Sequence, residues 1–198
     1  MKFTIAIFSI VFSFSNLLAQ YEEAKKLSFG VSVGINQSHI LDNHLEPMIV
    51  ENALGFRLGA LATYKLNPRL SLTGRSELSF NNGIIYKDVP RLFPFYQEIL
   101  PYSNEFILHA EFSDTKGRWY ALAGPNFKLA IPNTTQAANE FTSNSDIALD
   151  IGFGRNLSFF GHALTPQLRY SFGLYGISSN PSFPSSTFNN AALVVSFR

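Results

Sequence analysis

The chain predicts an all-β fold: an eight-stranded antiparallel up-and-down transmembrane β-barrel with short periplasmic turns and long extracellular loops. Three observations lead there. Apolar residues alternate with small or polar ones through most of residues 27–197, the pattern of strands with two unlike faces. The alternating segments number eight, an even number as a single-chain barrel requires. The links between them are short and long by turns, as in a barrel with tight turns at one end and extended loops at the other.

Composition agrees with this class. Of 198 residues, 46% are hydrophobic, 20 are Phe and only 15% are charged, against about a quarter charged in ordinary soluble domains. Too few Lys and Glu are present to cover the surface, so part of it faces something other than water. A net charge of +1, with no long basic run, excludes nucleic acid as a partner, because displacing counterions from phosphates takes clustered Lys and Arg. The absence of cysteine excludes a disulfide framework, a thiolate metal site, a cysteine nucleophile and a lipid-modified cysteine.

Residues 1–19 read as a signal peptide and residues 20–198 as the barrel domain. Lys2 supplies the positive start, Phe3 to Phe14 the apolar core and Ala19 the small residue before the cut. That core is too short to cross a bilayer as a helix. The alternative is a short membrane anchor. Export followed by barrel formation implies the bacterial outer membrane as the location and its lipid as the first partner.

The first strand has Leu27, Phe29, Val31, Val33 and Ile35 apolar, with Ser28, Gly30, Ser32, Gly34 and Asn36 between them. The second sets Leu54, Phe56, Leu58, Ala60, Ala62 and Tyr64 against Gly55, Arg57, Gly59 and Thr63. Asn67-Pro68-Arg69 breaks the pattern, and Leu70, Leu72, Leu78 and Phe80 resume it as the other arm of a hairpin. A fourth strand opposes Phe106, Leu108, Ala110 and Phe112 to Glu105, Ile107, His109 and Glu111, before a turn at Asp114-Thr115-Lys116-Gly117.

The fifth runs from Trp119 to Ile131, with Pro125 marking a bulge or an interrupted ladder. The sixth carries Ile147, Leu149, Ile151 and Phe153, the seventh Leu164, Leu168, Tyr170, Phe172 and Leu174, and the eighth Ala191, Leu193, Val195 and Phe197. The long links fall at Asn36–Asn52, Asn81–Gln97, Pro132–Asn144 and Gly176–Thr187. Tyr64, Trp119, Tyr170 and Phe197 lie near strand ends, where amphipathic rings form interfacial girdles.

Alternation alone would also suit a soluble lipocalin, whose apolar side chains point inward around a ligand. The polar face here is chiefly Gly, Ser, Thr and Asn, which suits a crowded lumen better than a wet exterior. The charges it carries are Arg57, Lys65, Arg75, Lys128 and Arg169 with Glu77, Glu105, Glu111, Asp146 and Asp150. A filled lumen tolerates such charges only in pairs. The expected structural charge network is Arg57, Arg75, Glu77, Lys128, Asp146, Asp150 and Arg169. With Leu66 opposite Leu70, Glu77 falls across from Gly59 and diagonal to Arg57, with Arg75 on its own strand and face. Glu77 is therefore expected to bridge Arg57 and Arg75.

Reactive constellations are not found. His39, His44, His109 and His162 show no metal-ligand spacing and read as surface-loop residues. Gly152-Phe153-Gly154 lacks the third glycine of a dinucleotide loop and sits inside a strand, where its glycines relieve crowding. No nucleophile elbow occurs. Asp146 and Asp150 share a face and are expected to pair with Lys128 and Arg169 rather than to exchange protons or bind a cation. The sequence thus offers no catalytic, cofactor-binding or metal-binding residues, and no cofactor is expected.

Three short pieces carry a family resemblance: Phe29-Gly30-Val31-Ser32-Val33-Gly34-Ile35-Asn36, Ala123-Gly124-Pro125 and Leu168-Arg169-Tyr170-Ser171-Phe172-Gly173-Leu174. In their order and spacing the chain resembles the PorT-type outer-membrane β-barrel family of Bacteroidetes over essentially all of residues 20–198. The resemblance implies location and fold, with a link to protein secretion and gliding machinery through the family's namesake, and supplies no catalytic residues. Arg198 after Phe197 departs from the terminal aromatic residue common in such barrels. The expected function is a non-enzymatic anchor or interaction module acting on protein partners through its loops, with a place in a secretion assembly. The alternatives are a soluble lipocalin-like binder of a small ligand and a membrane-embedded enzyme with a site at the loop rim.

Overall fold

A computed structural model describes residues 26–41, 48–51, 54–80, 83–87, 95–99, 102–131, 145–159, 162–174 and 187–198. The leader expected over residues 1–19 lies outside the described residues. None of the described residues is helical.

Eight antiparallel strands close into a barrel. They are β1 (Leu27–Leu41), β3 (Leu54–Lys65), β4 (Leu70–Phe80), β7 (Tyr102–Ser113), β8 (Trp119–Ala130), β9 (Ser145–Arg155), β11 (His162–Gly173) and β12 (Thr187–Phe197). Each pairs with its neighbour in this order, and β12 pairs with β1 to close the ring. β10 (Leu157–Phe159) continues β9 in the same register against β11, since Gly154 faces Gln167 and Leu157 faces Leu164. Pro166, which has no N–H, lies across the gap between them. Barrel strands of 11 to 15 residues meet or exceed the roughly 9–11 that a tilted strand needs to cross a bilayer.

The short turns are built by side chains. Asn67 Oδ1 accepts from the N–H groups of Arg69 at 2.9 Å and Leu70 at 2.8 Å, fixing the loop around Pro68. Asp114 Oδ1 does the same for Arg118 at 2.6 Å, and Gly117 supplies the positive φ of 65° that this turn needs. At Pro125 the β7–β8 ladder is interrupted without a bulge: Ala110 faces Ala123 and Ile107 faces Asn126 in step, with no pairing between. A Cβ on Gly124 would lie 1.9 Å from the Leu108 carbonyl oxygen, so the two strands approach there only because glycine is present.

Two of the long links hold more structure than alternation indicates. β1 runs on through Gln37, Ser38 and His39, paired with Ala191, Asn190 and Asn189 of β12. The link from β1 to β3 contains β2 (Met48–Glu51), and the link from β4 to β7 contains β5 (Gly83–Lys87) and β6 (Phe95–Ile99); these pair as a separate three-stranded sheet in the order β2-β5-β6. Backbone pairing needs no hydrophobic alternation once the chain leaves the apolar belt, which is why the periodicity misses these strands. The expected link Pro132–Asn144 lies outside the described residues, as does all but Thr187 of the link Gly176–Thr187.

Faces are sharply divided. Phe29, Val31, Val33, Ile35, Leu58, Leu108, Phe153 and Leu193 point outward and are 49–57% exposed, while Arg57, Glu77, Glu105, Lys128, Asp150 and Arg169 are buried in the lumen. Tyr64, Trp119 and Phe197 are exposed at the short-turn end. Tyr170 lies three residues before the other end of β11, outward and half-buried against Phe172 with ring centroids 4.5 Å apart. Towards the long-loop end the aromatic cluster is Phe56, Phe80 and Tyr102, with centroids 4.1 and 5.6 Å apart. These three come together only when β3, β4 and β7 are in register, so no single segment reveals them.

Candidate functional site

Inward-facing side chains fill the barrel with a polar column. It follows from strand parity: every second residue of β3, β4, β7, β8, β9 and β11 reaches the axis, and those positions hold most of the chain's buried charges. Glu77, on β4 opposite Gly59 of β3, is the central acceptor. Arg57 Nη1 donates to its Oε2 at 3.1 Å, Arg169 donates to both of its oxygens through Nη1 and Nη2, and Arg75 Nη1 stands 3.9 Å from Oε1. Gly59 makes this room, since a Cβ there would lie 2.6 Å from Glu77 Cγ.

Around that centre the network extends both ways along the axis. Arg57 also reaches Glu105 Oε1 at 3.3 Å and Asn190 Oδ1 at 3.2 Å. Lys128 Nζ donates to Asp146 Oδ2 at 3.1 Å and lies 4.9 Å from the centroid of the Phe188 ring. Asp150 accepts from Ser171 Oγ, from Asn126 Nδ2 at 3.2 Å, and faces His109 Nε2 at 3.3 Å and Arg169 Nε at 3.5 Å. Towards the short-turn end, Arg75 Nη2 donates to Gln167 Oε1 at 3.0 Å and to Glu111 Oε1 at 3.4 Å, and Glu111 also accepts from Arg198 at 3.2 Å.

All seven residues expected in the charge network are therefore brought into the lumen, and they are joined there by further ones. Lys65 is a correction: it has lumen parity but stands exposed at the short-turn mouth. His109 is another. It is fully buried, not a loop residue, because it shares the parity of Glu105 and Glu111 on β7. His44 lies outside the described residues. Asn126, Gln167, Ser171 and Tyr120 also enter through parity alone, and Arg198 continues the inward series of β12 one step past Ser196.

Among the described residues, five cations, Arg57, Arg75, Lys128, Arg169 and Arg198, meet five carboxylates, Glu77, Glu105, Glu111, Asp146 and Asp150, in this lumen. Such matching holds buried charge without a net excess, and it supports filling rather than binding. A lipocalin reading would need a largely apolar lumen, whereas the few inward apolar side chains, among them Leu61, Ile107, Leu122, Phe188 and Val194, are interspersed with ion-paired and hydrogen-bonded residues, and the continuous apolar belt is on the other face. Gly154 adds to the close filling, because a Cβ there would lie 2.4 Å from the Tyr120 ring. Gly154→Val is expected to displace Tyr120 from Gln167 Oε1, which it meets at 3.2 Å, and to lower stability by about 1–3 kcal/mol, read from urea unfolding.

Comparison with solved structures places this architecture in a class. The outer membrane protein OprG from Pseudomonas aeruginosa matches with a TM-score of 0.50 at 12% identity, over 86% of this chain and 92% of that chain. Neisserial surface protein A matches with a TM-score of 0.46 at 17% identity, over 86% and 96%. Ail, the attachment invasion locus protein of Yersinia pestis, solved with the heparin analogue sucrose octasulfate, matches with a TM-score of 0.46 at 13% identity, over 85% and 96%. No protein-family model matches the sequence, and no curated protein matches it. The fold is that of the small outer-membrane β-barrels, carried by the likeness to OprG.

Proposed function

We propose that the chain is a bacterial outer-membrane β-barrel, exported by its N-terminal leader, that anchors an interaction surface and catalyses no reaction. The observation that carries this reading is the inverted polarity of the barrel: ion pairs inside, a continuous belt of Leu, Val, Ile and Phe outside. Only a hydrocarbon solvent makes that arrangement favourable, because in water the belt would be an apolar patch far larger than soluble monomers tolerate.

The interaction role rests on the long links. Two of them pair into the β2-β5-β6 sheet, an ordered backbone surface outside the barrel. A non-enzymatic role is supported by the engagement of the buried groups with one another: Ser171 donates to Asp150 rather than to His109, and the acids are held by arginines and Lys128. Membership of the PorT-type family of Bacteroidetes, and with it a place in a secretion assembly, belongs to the same proposal and rests on the segments 29–36, 123–125 and 168–174.

Detergent fractionation with a heat-modifiability gel tests the reading. The protein is expected in the outer-membrane fraction, migrating anomalously until boiled; recovery in the soluble fraction with unchanged mobility would refute it. A second expectation follows from the filled lumen. In planar bilayers the folded protein gives no stable open-channel conductance of the porin type, and sustained large steps would contradict that filling.

A further inference from the structure

Among the described residues, the short-turn rim carries a strong and one-sided charge. Lys26, Lys65, Arg69, Lys116, Arg118 and Arg155 are all at that rim, most of them well exposed. The acid among the described residues of these turns is Asp114, whose Oδ1 is engaged by the N–H groups of Arg118 and Trp119. The lumen acid closest to this end, Glu111, is taken by Arg75, Arg198 and Ser71. None of the six basic side chains forms an ion pair among the described residues.

Their placement is as informative as their number. They follow the circumference from the start of β1, through the β3–β4 and β7–β8 turns, to the end of β9. They stand at the level where the strands end: Lys26, Lys65 and Arg118 adjoin the outward Leu27, Tyr64 and Trp119 in sequence at the exposed mouth, and Arg155 keeps the outward parity of Ile151 and Phe153. The Arg155 guanidinium lies over the Trp119 ring, 5.1 Å from its centroid, which holds a cation at the level of the girdle.

We infer that this rim is a collar that binds the headgroups of anionic phospholipids in the adjoining leaflet. The inference rests on the membrane-barrel reading above. A compact acidic protein would be met by cations on one side of the barrel; a ring of cations just outside an apolar belt fits a ring of headgroup phosphates. Guanidinium groups take phosphate oxygens in pairs and ammonium groups take them as point charges. Basic residues at an anionic surface each add about fivefold to binding, and the collar presents its residues to several lipids at once.

Trp119 is the single tryptophan of the chain and sits in the collar, 51% exposed, so its fluorescence reports directly on the lipid beside it. The full chain is reconstituted in phosphatidylcholine vesicles containing equal mole fractions of either brominated phosphatidylglycerol or brominated phosphatidylcholine. Brominated phosphatidylglycerol is expected to quench as if enriched about threefold or more around Trp119. The preference is expected to vanish at about 1 M salt, where screening acts over roughly 3 Å, and in a variant with the six basic residues changed to Gln, its folding checked by heat modifiability. Equal quenching by both lipids would overturn the collar, favour a soluble acidic partner and leave the barrel reading intact. Quenching by neither would overturn the barrel reading as well.

Discussion

Replacing Glu77 with alanine is expected to lower the unfolding free energy of the barrel by about 3–5 kcal/mol, measured by urea titration in lipid vesicles. Glu77 is fully buried and is the one carboxylate approached by three arginines among the described residues, with Arg57 at 3.1 Å and Arg75 at 3.9 Å beside the close Arg169 contact. Its removal leaves these cations confined around a cavity with Glu105, Asp150 and Glu111 as their remaining acceptors. A buried ion pair adds little over an apolar pair of the same volume, but one partner left alone is costly. Joint replacement of Glu77 by Leu and Arg75 by Met removes one charge of each sign and leaves Arg57 with Glu105, Arg169 with Asp150 and Arg198 with Glu111, and is therefore expected to recover part of the loss. A Glu77→Ala protein within about 0.5 kcal/mol of wild type, the range of an ordinary surface substitution, would show that Glu77 does not organise the lumen.

The placement of Glu77 is legible in the amino-acid sequence alone. Leu66 opposite Leu70 sets the hairpin register, and the observed Leu66 N–H to Leu70 carbonyl bond of 3.0 Å carries Glu77 to Gly59. Local registers of this kind are written in the turn residues. The Arg169–Glu77 contact is not legible there, because it crosses the lumen from β11 to β4, strands that share no ladder. Its existence depends on how the closed barrel staggers, a global quantity that no segment encodes. His109 differs from expectation for another reason: its parity on β7 points inward, whereas residue type, a histidine without a ligand spacing, points to a loop. For inward residues, parity is the stronger signal, since a single step along a strand moves a side chain from one solvent to the other.

The same parity governs the outer face and gives a second large expectation. Ala60 points outward, paired with Val31 of β1 and Ser76 of β4. It lies four residues from Phe56 on one side and four from Tyr64 on the other, so it marks the middle of the apolar belt. Ala60→Arg is expected to lower the stability of the barrel in vesicles by about 2–4 kcal/mol, the cost of arginine at the bilayer midplane of a barrel. From that height the guanidinium reaches neither rim without bending the lipid around it. If the belt faced water instead, the same substitution would be an ordinary exposed change within about 0.5 kcal/mol. Moving the arginine to Tyr64, beside the basic collar, separates depth from chemistry: Tyr64→Arg is expected to cost about 0–1 kcal/mol as a charge near the interface. A depth gradient between the two positions is the signature of hydrocarbon around the barrel; equal small effects would return the outer face to water and remove the basis for a membrane protein.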